Sequence, residues 1–194
     1  MLIGVTGSIA SGKSTFCNIL RDFGYMVIDC DEISHDVIKK GRVAYYEVIY
    51  EFGEDILNQE KEIDRKLLGA VVFNDLNKLK KLEAIIHPKV LKEIKKYKKE
   101  TICFFEVPLL FEAHWENAFD RIVCIASDFN IELKRLMERN NLTSSQAIDL
   151  IFTQIPIKEK IARSDYVIYN NGTNFELEKE AKDFIEQIVN DIRS

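Results

Sequence analysis

The chain begins with an apolar run, "LIGVT", that is short, continuous and followed by glycine. A run of this kind reads as a strand buried on both faces. In "KSTFCNILRDF" the apolar residues recur at helical spacing, and the stretch stops before Gly24, a residue suited to closing a helix. "YMVID" reads as a second strand. "TICFFEV" and "RIVCIA", both nearly continuous apolar runs, read as the third and fourth, and "YVIYN" as the fifth. From Asn174 to Ile192, residues Phe175, Leu177, Ala181, Phe184, Ile185, Ile188 and Ile192 fall mostly at helical spacing and predict a closing amphipathic helix. Strands alternating with helices predict an α/β fold built on a parallel sheet.

Two stretches interrupt that alternation. From about Glu32 to Lys99 the pattern is helical, as in Leu67, Leu68, Val71, Val72 and Leu76, and the stretch is too long for a simple crossover. It reads as an inserted helical lobe. A second helical stretch, from about Phe129 to Ser164, carries Lys134, Arg135, Arg139, Lys158, Lys160 and Arg163. Taken singly these are residues of a solvated surface; as a group between two core strands they suit a closing lid. The predicted organisation is one domain over 1–194, with a core of about 1–31, 101–128 and 165–194, a lobe of about 32–100 and a lid of about 129–164.

Composition changes this picture little. A length of 194 residues suits one well-packed domain with a small inserted lobe. The formal net charge of -5 gives no sign of nucleic-acid binding, although a local basic pocket is compatible with it. Cys17, Cys30, Cys103 and Cys124 are scattered without CxxC spacing, and Cys103 and Cys124 lie inside apolar runs as small buried hydrophobes. Nothing favours disulfides, so a reducing cytoplasm is expected. No apolar leader or membrane-spanning run is visible, and no membrane partner is expected.

The chemistry is concentrated at two places. "GSIASGKS" matches GxxxxGK[ST], with Gly7, Gly12, Lys13 and Ser14 in the required positions. Glycines let the backbone curl so that consecutive N–H groups point at phosphate oxygens. The stretch Gly7, Ser8, Ile9, Ala10, Ser11, Gly12, Lys13, Ser14 and Thr15 is therefore assigned to the phosphates of a nucleoside triphosphate, with Lys13 reaching the β- and γ-phosphates and Ser14 ligating Mg²⁺. The helix that starts here adds its positive end. The strand before the motif and the amphipathic helix after it are the context that separates this match from a glycine-rich turn. The second place is "VIDCDE". Asp29 and Asp31 stand two apart at the end of the second strand, so both side chains point the same way. Ligands gather at the carboxyl ends of parallel strands. One carboxylate suits deprotonation of an acceptor hydroxyl and the other a water of the Mg²⁺ shell; the competing reading is that Asp31 caps the next helix. The sequence argues against a switch GTPase, because the only Asn-Lys pair, Asn77-Lys78, is followed by Leu79-Lys80 and lacks the guanine-reading Asp.

"GVTGSIASGKST", "VIDCDE", "IDRKLLGAVVF", "LEAIIHPKV", "VPLLFE", "LKRLMERNNLT" and "SDYVIYNNG" occur in the order seen in the dephospho-CoA kinase family, and over nearly its whole length the chain resembles that family. "IIHPKV" followed by "VPLLFE" is far more specific than the phosphate loop, which many families share. The resemblance implies a P-loop kinase-like parallel five-stranded sheet flanked by helices, with a helical acceptor lobe and a helical lid. It implies transfer of phosphate from ATP to the ribose 3′-hydroxyl of dephospho-CoA, giving CoA and ADP, with Mg²⁺ as cofactor. It implies Asp31 as the general base with Asp29 beside it, in reach of Mg²⁺ through water. Arg65, His87, Pro88, Pro108 and Leu109 fall at acceptor-site positions, Arg139 at the lid arginine over ATP, and Asn171 and Gly172 where adenine lies against backbone.

Each of these has a plainer reading beside it: Arg65 as a solvated helix residue, His87 as a hydrogen-bonded structural residue, and Leu109 and Leu110 as core, which is preferred for those two. Ser8 stands where many members have glycine, Cys30 where many have Ala, Leu150 where many have Arg before "IxxQ", and Tyr169 where Asp is frequent. No clear Walker B aspartate is visible, and Glu106 is the candidate for that role. A monomer is favoured. Two other functions stay open at this level, a kinase for a different small-molecule or nucleotide acceptor and a non-catalytic ATP-binding regulator; the paired aspartates and basic lid argue against the second.

Overall fold

The computed structural model describes residues 1–97 and 102–193. Thr101 at the start of the expected third strand, and the lobe's expected end at 98–100, lie outside the described residues. The chain divides into two compact units, one of residues 1–28 and 98–194 and the other of residues 29–97.

The first unit is built on a five-stranded sheet. β1 (Leu2–Gly7) is buried along its whole length. It pairs in parallel with β3 (Cys103–Glu106) on one side and β4 (Arg121–Ala126) on the other. β4 pairs in parallel with β5 (Tyr166–Tyr169), and β2 (Met26–Asp29) lies at the edge beside β3, giving the order β2-β3-β1-β4-β5. β1 and β3 are mainly apolar because every position in them is buried, with Thr6 and Glu106 the buried polar residues at their ends. Register places Val5 beside Glu106 and Gly7 beside Ile125. The chain leaves β1 toward β2 on one side and later returns to β4 on the other, so the end of β1 lies where the strand order reverses, the position at which α/β sheets form a crevice.

α1 (Lys13–Asp22) and α9 (Asn174–Arg193) pack on one face. Gly24, at φ 85°, closes α1: its N–H donates to Arg21 O at 2.9 Å and the N–H of Tyr25 donates to Leu20 O at 3.0 Å, the paired bonds of a Schellman ending. The core between sheet and helices holds Ile3, Val5, Phe16, Phe104, Val123, Ile125 and Phe184. Leu177, Ala181, Phe184, Ile185 and Ile188 of α9 face it, whereas Phe175 is exposed. Phe175 lies two residues before Leu177, about 200° around the helix from that stripe. Between β4 and β5 run α6 (Phe129–Asn140), α7 (Ser144–Phe152) and the short α8 (Ile157–Ala162).

The second unit is helical: α2 (Cys30–Val37), α3 (Val43–Phe52), α4 (Arg65–Val72) and α5 (Leu76–Ile94). Aspartates start three of them. Asp29, Asp64 and Asp75 each accept backbone N–H groups of the first turn that have no partner within the helix. Leu68 and Val72, one turn apart in α4, are buried while Leu67 is exposed, and Leu76 is the exposed first residue of α5, so the run read as one apolar pattern spans two helices and buries a narrower stripe. Pro88 lies inside α5, where it has no N–H to give the preceding turn.

Phe104 is fully buried, edge-on to Tyr25 and tilted against Phe184. Phe104→Ala is expected to cost about 3–5 kcal/mol, by lost transfer energy and the cavity left. In a chain of this size that lowers the thermal midpoint by about 10 °C, a shift that calorimetry measures.

Candidate functional site

The loop between β1 and α1 has one backbone bond of its own, Ser11 N–H to Ser8 O at 3.3 Å, and is held mostly by other means. Its curl comes first from the backbone: Ala10 and Gly12 are left-handed, at φ 61° and 97°. At Gly12 a Cβ would stand 2.0 Å from Asn170 Nδ2, so any other residue would have to displace that amide and adopt a strained backbone at φ 97°. That same amide donates to Ser11 O at 2.8 Å. Ser127 Oγ, just past β4, donates to Asn170 O at 2.7 Å and lies 3.3 Å from Ser11 O. Arg135 of α6 donates to Asn170 O at 3.0 Å and to Ser127 Oγ at 3.1 Å. The far wall of the loop is thus tied to the ends of β4 and β5.

The near wall is tied to the segment between those strands. Ser8 Oγ donates to the carboxylate of Glu132 in α6, which is 2% exposed. Burial pushes the Glu132 carboxyl up from its ordinary range, against the opposing pull of the Ser8 bond. Ile9 N–H donates to Gln154 Oε1 at 3.0 Å. Lys160 of α8 has no exposed surface; its ammonium donates to Glu112 Oε1 at 2.8 Å and to Gly7 O at 3.4 Å.

Lys13, the first residue of α1, is 8% exposed, and its ammonium donates to Ser8 O at 2.7 Å and Gly7 O at 3.3 Å. Burial, followed by the nearby Lys160 cation, lowers its pKa to about 8, while Glu106, Glu132 and Cys124 act in the opposite direction. Ser14 Oγ donates to Glu106 Oε1 at 2.6 Å, with Glu106 buried at the end of β3. A hydroxyl and a carboxylate so placed are hard oxygen donors of the kind Mg²⁺ takes, one or two from protein and the rest from water and phosphate. Among the described residues no cluster of three or more His, Cys, Asp or Glu residues could hold a metal by itself.

Of the residues expected to form the site, Gly7 to Thr15 lie together in this loop and the start of α1. Asn171 and Gly172 are exposed beyond β5; Asn171 Oδ1 accepts the N–H of Asp128 at 2.8 Å. The side chain that braces the loop is Asn170, one residue earlier, whose only sequence signal was a polar amide directly after an apolar strand. Arg139 is exposed in the last turn of α6, where Nε donates to Asn140 Oδ1 at 2.8 Å. The six basic residues of the lid stretch do not act alike: Lys160 is buried, Arg135 braces the loop, and Arg163 pairs with Glu116 and Glu159 and sits 4.5 Å over Phe111. Leu110 and Phe111 are core, but Leu109 is 48% exposed, which corrects the preference for Leu109 as core. Pro108, which follows β3, places its carbonyl 3.5 Å from Thr6 Oγ1.

In the second unit, Asp29 and Asp31 do not share a strand face, because β2 stops at Asp29 and helix begins at once. Asp29, not Asp31, is the helix cap, accepting Asp31 N–H at 2.7 Å. Asp31 is exposed in the first turn of α2. Arg65 opens α4 and, with His35, Asp64, Phe73, Leu82 and Ile86, lines a cavity of about 1120 Å³ whose walls are mainly apolar. His87 is half-buried in α5, and burial lowers its pKa; Pro88 follows it in the same helix.

A family model described as dephospho-CoA kinase matches residues 1–176. The dephospho-CoA kinases of Listeria innocua and Fusobacterium nucleatum are 40% and 41% identical to this chain, over 97% of this chain in both cases and over 97% and 98% of their own lengths. A solved dephospho-CoA kinase from Campylobacter jejuni superposes with a TM-score of 0.74 at 33% identity, covering 96% of each chain. A shikimate kinase from Bacteroides thetaiotaomicron shares the fold, with a TM-score of 0.57 at 14% identity, covering 97% of this chain and 98% of its own.

Gly12→Ala is expected to abolish tight ATP binding. The added methyl meets Asn170 and sits on a left-handed backbone, a strain of about 1–3 kcal/mol that the loop relieves by moving. Titration calorimetry with ATP measures the loss, and circular dichroism should show the sheet intact.

Proposed function

The chain belongs to the dephospho-CoA kinase family, and we propose the following division of that family's work among its residues. The activity is ATP-dependent phosphorylation of a hydroxyl, converting dephospho-CoA to CoA with release of ADP. The observation that carries the site assignment is the externally braced loop in which Lys13 is buried over two loop carbonyls and Ser14 is bonded to Glu106. Readings with another acceptor or with no catalysis give way to the family match along the whole fold.

The loop from Gly7 to Thr15 holds the ATP phosphates through its backbone N–H groups. Lys13 faces the β- and γ-phosphates and offsets the charge that develops as the γ-phosphoryl group moves. Ser14 and Glu106 are the residues that would hold Mg²⁺, with Asp29 acting through water. When bound, the ion supplies charge neutralisation between the β- and γ-phosphates. Asp31 accepts the proton of the ribose 3′-hydroxyl while that oxygen forms the new bond to phosphorus and the bond to the ADP oxygen breaks. Its exposure in the first turn of α2, whose cap is Asp29, supports that role. Arg139 covers ATP, and adenine lies against the backbone of Asn171 and Gly172. Arg65, His87, Pro88, Pro108 and Leu109 contact the acceptor; for Arg65 this reading is supported by the large, mainly apolar cavity that it lines.

We also place the protein in the cytoplasm as a monomer. All four cysteines are buried thiols, which supports a reducing compartment, and among the described residues no helix is long and apolar enough to cross a membrane. Light scattering on the purified chain tests the monomer, and cell fractionation tests the compartment.

The direct test incubates the protein with ATP, Mg²⁺ and dephospho-CoA and looks for CoA and ADP by mass. A chelator should stop the reaction and added Mg²⁺ restore it; turnover that persists in the chelator would remove the metal assignment. Within that assay, Asp31→Asn is expected to lower turnover by about a hundredfold or more with an unchanged melting temperature, since the cap is Asp29. Near-normal transfer by the folded variant would show that Asp31 is not the base.

A further inference from the structure

Lys160 is the largest buried charge that this mechanism leaves without a role. A lysine with no exposed surface is unusual unless paired. Its partner is Glu112, on the segment after β3, whose Oε1 takes both the Lys160 ammonium at 2.8 Å and the N–H of Ile155 at 3.1 Å. Stability alone does not explain such a pair, because apolar side chains of similar volume commonly serve a buried position as well or better.

The location of the pair suggests its purpose. Lys160 donates to Gly7 O at 3.4 Å, and Lys13 donates to the same carbonyl at 3.3 Å from the loop side. Two ammonium groups converge on one oxygen, at the point where β1 turns into the phosphate loop. Two residues on, Ile9 N–H is held by Gln154 Oε1 at 3.0 Å. Gln154 is the chain neighbour of Ile155, so a closed circuit results: Gly7 to Lys160, Lys160 to Glu112, Glu112 to Ile155, Gln154 to Ile9, and back through Ser8. The circuit grips the first corner of the loop from the side opposite Asn170.

We propose that Lys160, held by Glu112, is a positioning residue for phosphoryl transfer: it fixes the Gly7–Ile9 corner of the loop and through it the place of the Lys13 ammonium. The inference rests on the phosphate-binding reading of that loop. It acts on the transferring phosphate and not on the acceptor, so its loss should fall on kcat and leave the KM for dephospho-CoA unchanged.

Two variants separate positioning from mere stability. Lys160→Met leaves the partly buried Glu112 beside an apolar chain, and is expected to lower both the melting temperature and kcat. Lys160→Met combined with Glu112→Gln removes both charges but keeps an oxygen for Ile155 N–H. It should recover most of the melting temperature while kcat stays about tenfold or more below wild type, the scale on which a small misplacement of a catalytic group acts. Should Lys160→Met fail to fold, the double variant carries the test. Recovery of kcat together with stability, or a wild-type kcat in either folded variant, overturns the proposal, as does a loss confined to the KM for dephospho-CoA. All comparisons are with wild type; a wild-type chain that formed no CoA would instead count against the functional reading.

Discussion

A phosphate loop has to leave its own N–H groups unpaired by the protein, and that requirement governs much of the structure around it. Backbone polar groups that are buried without partners are costly, so the curl must be held by its carbonyls and side chains. Here, beside Lys13 and the Ser11 N–H to Ser8 O bond within the motif, most of those holds come from outside the loop. Asn170 and Ser127 take Ser11 O, Glu132 takes the Ser8 hydroxyl, Gln154 takes Ile9 N–H, and Lys160 and Lys13 share Gly7 O. The one loop amide with a side-chain partner is at the corner where that partner belongs to the lid stretch.

Sheet topology makes these holds available. Because β1 is central, with β3 on one side and β4 then β5 on the other, the residues just past three other strands arrive beside the end of β1. Glu106 reaches Ser14 from β3, Ser127 follows β4, and Asn170 follows β5. A Cβ at Gly12 has no room because Asn170 fills the space; the tight approach that selects glycine also supplies the loop with a donor.

The electrostatics follow from burial more than from net charge. The chain is acidic overall, yet its loop gathers Lys13, Lys160 and Arg135, compensated locally by Glu106, Glu112 and Glu132. Taking Lys13 out of water next to Lys160 weakens its hold on its proton, and an incoming polyphosphate restores it. The second unit follows a different logic. Three of its four helices start on aspartate caps, and its residues line an open, mainly apolar pocket that includes Arg65.

Sequence alone determined what depends on neighbours along the chain. Periodicity located every strand and the closing helix, because strand and helix spacing are properties of consecutive residues. The phosphate loop was legible for the same reason, since its glycines, lysine and serine act within eight positions, and longer motifs carried the family. Even so, local reading failed where one element stopped sooner than its pattern: β2 ends at Asp29, so that residue caps α2 and the supposed strand-face pair with Asp31 does not exist. Only the tertiary structure decided which polar residues brace the loop. Ser8 and Glu132 are 124 positions apart, Gly7 and Lys160 153, and Ser11 and Asn170 159. A lysine between Glu159 and Ile161 has the same local signature whether it is solvated or buried. What distinguishes Lys160 is the desolvation imposed by chain packed around it and the carboxylate that compensates it, and both come from segments the local sequence does not contain.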